Sequence, residues 1–146
     1  MHRKDFIRHL GYLVTALPAS SFLLYSCAGL YYASFAEKEG TLRISKSEFK
    51  QIKGGKQIER DFVVIQSDSM QYPIGIFKTL NQDYTASLMQ CTHRGCELNI
   101  GGGIYNCPCH GSEFDRSGGV MQGPAEENLK SFLITTDNEH IYIHVS

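Results

Sequence analysis

Four cysteines and two histidines fall within the stretch Cys91 to Ser112, CTHRGCELNIGGGIYNCPCHGS, of a chain that has five cysteines and six histidines in all. Sulfur and imidazole together are ligands for borderline and soft metals, so this density points first to a metal centre. The order is Cys91-x-His93 and then Cys107-x-x-His110, with one further cysteine, Cys96 or Cys109, in each half. Two short loops therefore each offer one thiolate, one imidazole and one spare sulfur. Three chemistries compete for them. A zinc ribbon usually uses two Cys-x-x-Cys knuckles, whereas a Cys-x-His and a Cys-x-Cys-His turn strain a closed tetrahedral site and leave two cysteines over. A nucleophilic Cys–His pair needs one reactive thiol and gives no reason for two matching loops. An iron–sulfur centre uses all six residues.

Loops this short hold no geometry by themselves, so the rest of the chain must supply a frame. Its 146 residues suffice for one domain with a modest core. With 14 basic and 15 acidic side chains there is no basic excess of the kind nucleic-acid binding requires. Eight Phe, eight Tyr, 14 Gly and no Trp suit a small, turn-rich β domain. Runs of β-branched and aromatic residues predict strands over 41–44, 61–66, 74–79, 84–90, 132–136 and 140–145, in one antiparallel fold. The segments SDSMQYP, LNQD and TTDNE supply the Asp, Asn and Pro that reverse a chain, and the last flanks an expected hairpin. In the final strand His140, Tyr142 and His144 alternate with Ile141, Ile143 and Val145, which puts both histidines on a solvated face without a ligand role. Residues 37–60 are polar and are expected to form an exposed neck, with the strand at 41–44 and a turn at Gly54-Gly55.

Ahead of this frame, MHRKDFIRH is followed by an uncharged run from Leu10 to Ala36. The run exceeds the ~20 residues needed to cross a bilayer and follows positive charge, so residues 1–36 read as an export signal or membrane anchor and 37–146 as the folded domain. Arg3-Lys4-Asp5-Phe6-Ile7-Arg8 resembles a twin-arginine signal with Lys in place of the second arginine, a route that carries proteins already folded around a cofactor. Leu24-Tyr25-Ser26-Cys27 resembles a bacterial lipobox, in which Cys27 is lipidated and becomes the mature N-terminus. An uncleaved transmembrane helix from about Leu10 to Phe35 stands beside it as an equal alternative. Both place the domain on the periplasmic or outer side of a bacterial cell membrane, tethered to it.

CTHRGC followed by CPCHGS resembles the two loops of Rieske iron–sulfur proteins, of the disulfide-containing subtype found with cytochrome bc1 and b6f complexes. The likeness is tight over 91–112 and extends through Phe114-Asp115, Ser117-Gly118 and Gly123-Pro124-Ala125. It implies an all-β fold, an antiparallel β-sandwich base with a small subdomain of cluster-binding loops 91–96 and 107–112, preceded by the N-terminal hydrophobic helix or signal. It implies one Rieske-type 2Fe-2S cluster, with Cys91 and Cys107 on one iron and His93 and His110 on the other. Cys96 and Cys109 would then form a disulfide clamping the loops, which suits the oxidising compartment that the N-terminus implies. No catalytic residue is implied. In the family, the serine at the place of Ser112 donates a hydrogen bond to a cluster sulfur and raises the potential. The residue two places on is often a tyrosine with a similar donation; here it is Phe114, which implies a lower potential than in relatives with both donors.

The function implied is membrane-tethered transfer of single electrons to or from a cytochrome or a quinol-oxidising complex, the chain then being one part of a quinol:cytochrome c oxidoreductase. The Rieske small subunit of a periplasmic oxidase of the arsenite-oxidase kind is the alternative. An oxygenase ferredoxin component fits less well, because such ferredoxins generally lack the Cys96–Cys109 pair and an export signal. Quinol as a direct donor is disfavoured. Family members that oxidise it commonly have leucine after the first histidine ligand, whereas Arg94 stands here, a cation costly to bury in an apolar pocket. Glu126 replaces the second proline of a GPAP-like loop and makes the rim more polar, which suits a docking protein partner such as a cytochrome.

Overall fold

The computed structural model describes residues 29–146; the twin-arginine-like segment, Cys27 and most of the uncharged run lie outside the described residues. The strands are β1 (Phe35–Lys38), β2 (Thr41–Ser45), β3 (Lys50–Lys53), β4 (Lys56–Glu59), β5 (Phe62–Ile65), β6 (Ile74–Lys78), β7 (Tyr84–Leu88), β8 (Asn99–Gly101), β9 (Ile104–Asn106), β10 (Glu113–Phe114), β11 (Val120–Gln122), β12 (Leu133–Thr136) and β13 (His140–His144), with a 3₁₀ turn at Lys46–Phe49. They form four sheets, ordered β1-β2-β13-β12, β5-β6-β7, β11-β10-β9-β8 and β3-β4. The pairing between these strands is antiparallel throughout. The fold is all-β, as the composition and the strand pattern predict.

The β5-β6-β7 sheet lies between two cores, and the two-residue alternation of a strand explains how. Val63, Ile65, Ile74 and Ile76 face one way, packing with Leu42, Ile44, Ile141 and Ile143 of the β1-β2-β13-β12 sheet to make the base. Val64 and Phe77 face the other way and join Leu98, Tyr105, Phe114, Cys91 and Cys107 in a second core that carries the two loops. A sheet covered on both faces has few polar positions, which is why β5 reads Phe-Val-Val-Ile without polar alternation. Gly75 of β6 marks the seam. The Tyr105 hydroxyl donates to its carbonyl at 2.9 Å, and a Cβ there would meet Tyr105 Cε1 at 2.6 Å. Only a residue without a side chain lets the loop-bearing half close on the base.

The six predicted strands are present, with ends moved by a few residues. The 84–90 strand stops at Leu88 because its next partner is Pro73, which accepts from the Met89 N–H at 2.8 Å but has no N–H to return. The TTDNE hairpin forms between β12 and β13. Ile141 and Ile143 are fully buried, while the His144 ring on the opposite face meets the Thr41 and Thr135 hydroxyls.

Two expectations are corrected. The neck is structured: β1 pairs with β2, and β3 pairs with β4 across the Gly54-Gly55 turn with Lys53 opposite Lys56. Their largely polar composition leaves no apolar alternation to betray these strands. The folded domain also begins before residue 37. Ala33 is in the base core, its N–H bonded to the Val64 carbonyl at 2.8 Å, and the Val64 N–H returns to the Tyr31 carbonyl at 3.1 Å. Since β1 begins at Phe35, a helix does not continue to that residue; an apolar run satisfies a lipid or a protein interior equally, which hid the boundary. Among the described residues no helix is long and apolar enough to cross a membrane.

Candidate metal centre

The two loops share one backbone plan. Loop 91–96 is closed by a bridge between Gln90 and Glu97, and loop 107–112 by the pairing of Asn106 with Glu113. In the first, the Cys91 N–H donates to the Cys96 carbonyl at 2.8 Å and the Gly95 N–H to the Cys91 carbonyl at 2.8 Å. In the second, the Cys107 N–H donates to the Ser112 carbonyl at 2.8 Å and the Gly111 N–H to the Cys107 carbonyl at 3.0 Å. Gly95 and Gly111 have φ of 74° and 76°, the left-handed region that glycine occupies without steric cost. The turn so made wraps backbone amides around each cysteine sulfur: those of His93 and Arg94 reach Cys91, and those of Cys109 and His110 reach Cys107. Four N–H dipoles thus favour negative charge on two sulfurs, which is what a metal-bound thiolate needs.

Of the four sulfurs, those of Cys96 and Cys109 are joined in a disulfide, and Cys91 and Cys107 are free and buried. The sulfurs of Cys96, Cys107 and Cys109 lie within 4.8 Å of one another. Two of those three are spent on each other, so that trio is the bridge passing beside Cys107 and not a ligand set. Cys91 and Cys107 share a hydrogen bond. Burial pushes the Cys91 thiol up, and holding the shared proton pushes it further. Cys107 is desolvated too, yet accepting from Cys91 and from the Cys109 and His110 amides brings its thiol down.

The rings of His93 and His110 meet edge to face with centroids 4.9 Å apart. His110 is exposed, whereas His93 Nδ1 is buried without a hydrogen-bond partner. A ring nitrogen so placed has lost water and gained nothing, at a cost of about 1–3 kcal/mol, unless a metal fills the place. Two buried thiols and two adjoining imidazoles fit the mixed donor set of a two-iron, two-sulfide centre.

Ser112 is fully buried. Its Oγ accepts from the Ala125 N–H at 3.0 Å, which ties loop 107–112 to the Gly123-Pro124-Ala125 segment and leaves the hydroxyl proton for another acceptor. Phe114 is fully buried in the second core, and Arg94 and Glu126 are exposed at the rim. Two further positioning residues were invisible in the sequence. The Tyr72 hydroxyl donates to the Gly95 carbonyl at 2.8 Å, and Thr92 Oγ1 donates to the Glu127 carbonyl at 2.6 Å. These contacts span 23 and 35 residues, and no local pattern marks either donor.

Asp115 closes the turn after β10. Its Oδ1 accepts from the Ser117 N–H at 2.8 Å, the Ser117 hydroxyl at 2.6 Å and the Gly119 N–H at 2.9 Å. Burial raises its pKa, but these bonds outweigh burial and hold the carboxyl below the usual range. With a folded value below the unfolded ~3.9, its stabilisation is complete above that pH and is lost as pH falls through the folded value. The melting temperature of Asp115→Asn is therefore expected to fall less steeply than that of wild type on acidification below about pH 4. Parallel pH profiles would reject this role.

A family model described as the Rieske [2Fe-2S] domain matches residues 44–133. The cytochrome b6-f complex iron-sulfur subunit of Synechococcus sp. (strain JA-2-3B'a(2-13)) is 40% identical over 53 residues, 35% of this chain and 31% of that protein. The subunit of the same name from Prochlorococcus marinus (strain MIT 9211) is 40% identical over 55 residues, 36% of this chain and 31% of that protein. The chain thus spans about a third of the length of the curated relatives it matches. Among solved structures, the cyanobacterial plasma membrane Rieske protein PetC3 from Synechocystis PCC 6803 superposes with a TM-score of 0.51 at 27% identity, covering 57% of this chain and 85% of that one.

Proposed function

We propose that this chain, which belongs to the Rieske [2Fe-2S] domain family, is a membrane-tethered carrier that exchanges single electrons with a cytochrome or a cytochrome-containing complex. It is a 2Fe-2S electron-transfer protein related to the iron–sulfur subunits of cytochrome b6-f complexes. In our reading Cys91 and Cys107 hold one iron and His93 and His110 the other. The observation that carries this is the partition of the sulfurs: the disulfide removes Cys96 and Cys109, and the two thiols left adjoin each other. A cluster bound there would supply a one-electron couple, in a range of about −150 to +300 mV for the Rieske type. The protein's own residues do the remainder. Backbone amides stabilise the thiolates, the second core keeps water from them, and exposed His110 supplies the edge at which a partner docks.

The partner reading draws on the relatives' membership of cytochrome b6-f complexes and on the exposed, charged rim at Arg94 and Glu126. That rim favours a protein surface, as in a cytochrome or the large subunit of a periplasmic oxidase, over an apolar quinol pocket. The tether reading draws on the uncharged residues from Leu10 to Ala28, close to the ~20 that span a bilayer, and on Cys27 as the alternative lipid attachment. Electron paramagnetic resonance of the reduced protein should give a Rieske-type signal, and solubilised native membranes should yield a co-purifying cytochrome. A colourless zinc protein would overturn the cofactor, and a co-purifying oxygenase would overturn the partner.

The potential carries a further expectation. Ser112 donates to a sulfur in this reading, and Phe114, with no hydroxyl, does not. The midpoint should rise in Phe114→Tyr and fall in Ser112→Ala, as gain and loss of a donor to a sulfur require. Protein-film voltammetry of the three proteins checks both signs, and an unchanged or lower midpoint in Phe114→Tyr rejects the assignment.

A further inference from the structure

The β3–β4 hairpin is the part of the fold that neither core explains. β4 is exposed at all four positions and β3 at three of four, and Ile52 is 81% exposed. A two-stranded hairpin with neither face packed is marginal in water. Lys50, Lys53 and Lys56 project from it, while its one acid, Glu59, is paired with Lys78 at 2.6 Å. The domain around it is acidic: residues 29–146 hold 11 basic and 14 acidic side chains. Positive charge and an uncovered isoleucine are therefore gathered on one projection of a negative domain.

Its place in the chain identifies what covers it. Gly29 and Leu30 line one groove with Gln51 and Glu59 of the hairpin. Tyr31 is fixed beside them, with Arg60 over its ring at 3.7 Å and its hydroxyl donating to Glu48 at 2.6 Å. The 28 residues outside the structure thus join the domain at the foot of the hairpin. We infer that the tip of the β3–β4 hairpin dips into the membrane surface beside the tether, Lys50 on one face and Lys53 and Lys56 on the other against anionic lipid headgroups, and Ile52 among the upper acyl carbons.

This rests on the tether proposed above. Strands of four residues at ~3.3 Å each let the turn reach roughly 13 Å from the groove, far enough to touch a bilayer in which the preceding segment is anchored. Each lysine near an anionic surface favours contact by about fivefold, so three bias the orientation by about a hundredfold. Ile100 and Gly101, at the turn of the β8–β9 pair, line the same groove, whereas the other end of that pair runs on into Cys107. Seating the hairpin therefore turns the metal-binding loops away from lipid, toward a docking partner.

The chain has no tryptophan, so Ile52→Trp in the full-length, cluster-loaded protein is a single reporter at an exposed position, with the resonance signal as the control for folding. The probes are vesicles of phosphatidylcholine alone or with roughly a third phosphatidylglycerol, an anionic headgroup of the kind lysines recognise. With the anionic vesicles we expect blue-shifted emission and quenching by acyl-brominated lipid, both lost at high salt and in Lys50→Gln/Lys53→Gln/Lys56→Gln. Water-like emission from protein that still co-sediments with the anionic vesicles would overturn the hairpin's placement alone. An equal blue shift with both vesicle types would overturn the role of the lysines. Protein that co-sediments with neither overturns the tether, and the placement with it.

Discussion

The double variant Cys96→Ser/Cys109→Ser is expected to lose about 3 kcal/mol of stability, the value for closing a loop of about 15 residues, and to release its iron far faster than wild type. The bridge joins residues 13 apart in sequence. It matters because the outer turns have little beneath them: Pro108, Cys109 and His110 are exposed. The remaining ties, from Tyr72, Thr92 and Ser112, are single hydrogen bonds worth roughly 1 kcal/mol each. Both cysteines must be changed. Replacing Cys96 alone frees the Cys109 sulfur within 4.8 Å of that of Cys107, where it would compete for iron. Differential scanning calorimetry should show a melting temperature lower by roughly 10 °C or more, and iron transfer to a chelator should quicken. A double variant that holds iron as long as wild type would reject the clamping role.

Cys107→Ser is expected to abolish the cluster altogether, although Cys96→Ser/Cys109→Ser, which changes a residue only two places away, should bind one weakly. Cys107 is 1% exposed, with the His110 and Cys109 amides and the Cys91 thiol on its sulfur. A serine hydroxyl there cannot ionise near neutral pH, so an iron loses an anionic ligand and its site is left short of charge. Burial of the hydroxyl costs only about 1–3 kcal/mol, so the domain should still fold. Iron and acid-labile sulfide content, read beside the far-ultraviolet dichroism, separates loss of the cluster from loss of the fold. A Rieske-type resonance signal in Cys107→Ser would remove Cys107 from the ligand set, and a stably loaded Cys96→Ser/Cys109→Ser would show the bridge to be dispensable.

The outcomes for these neighbours differ for a reason only partly legible in the chain. Spacing marks six residues as metal-competent, and likeness to a family pairs Cys96 with Cys109; the structure has that pair bonded. The six predicted strands were readable because runs of β-branched and aromatic residues mark them, and where one face alone is buried a two-residue period does too, seen in Ile141 and Ile143 against His140, Tyr142 and His144. β3 and β4 were not, because a hairpin exposed on both faces imposes no period. The boundary near Tyr31 was hidden for the opposite reason, an apolar run that continues unbroken from a membrane-compatible segment into the base core.

By itself the sequence determined the chemistry: which atoms can bind metal, that two six-residue loops present them, and that the frame is β. Those are properties of residue type and local period, and they survive without knowledge of what touches what. Only the tertiary structure decided which sulfurs remain free, that His93 has a buried ring nitrogen without a partner, that Tyr72 and Thr92 hold the first loop, and that a lysine-bearing hairpin stands where the N-terminal segment arrives. Each of these depends on groups far apart in the chain being brought together by two cores that share the β5-β6-β7 sheet. Contacts of that kind are selected by packing and leave no spacing in the sequence.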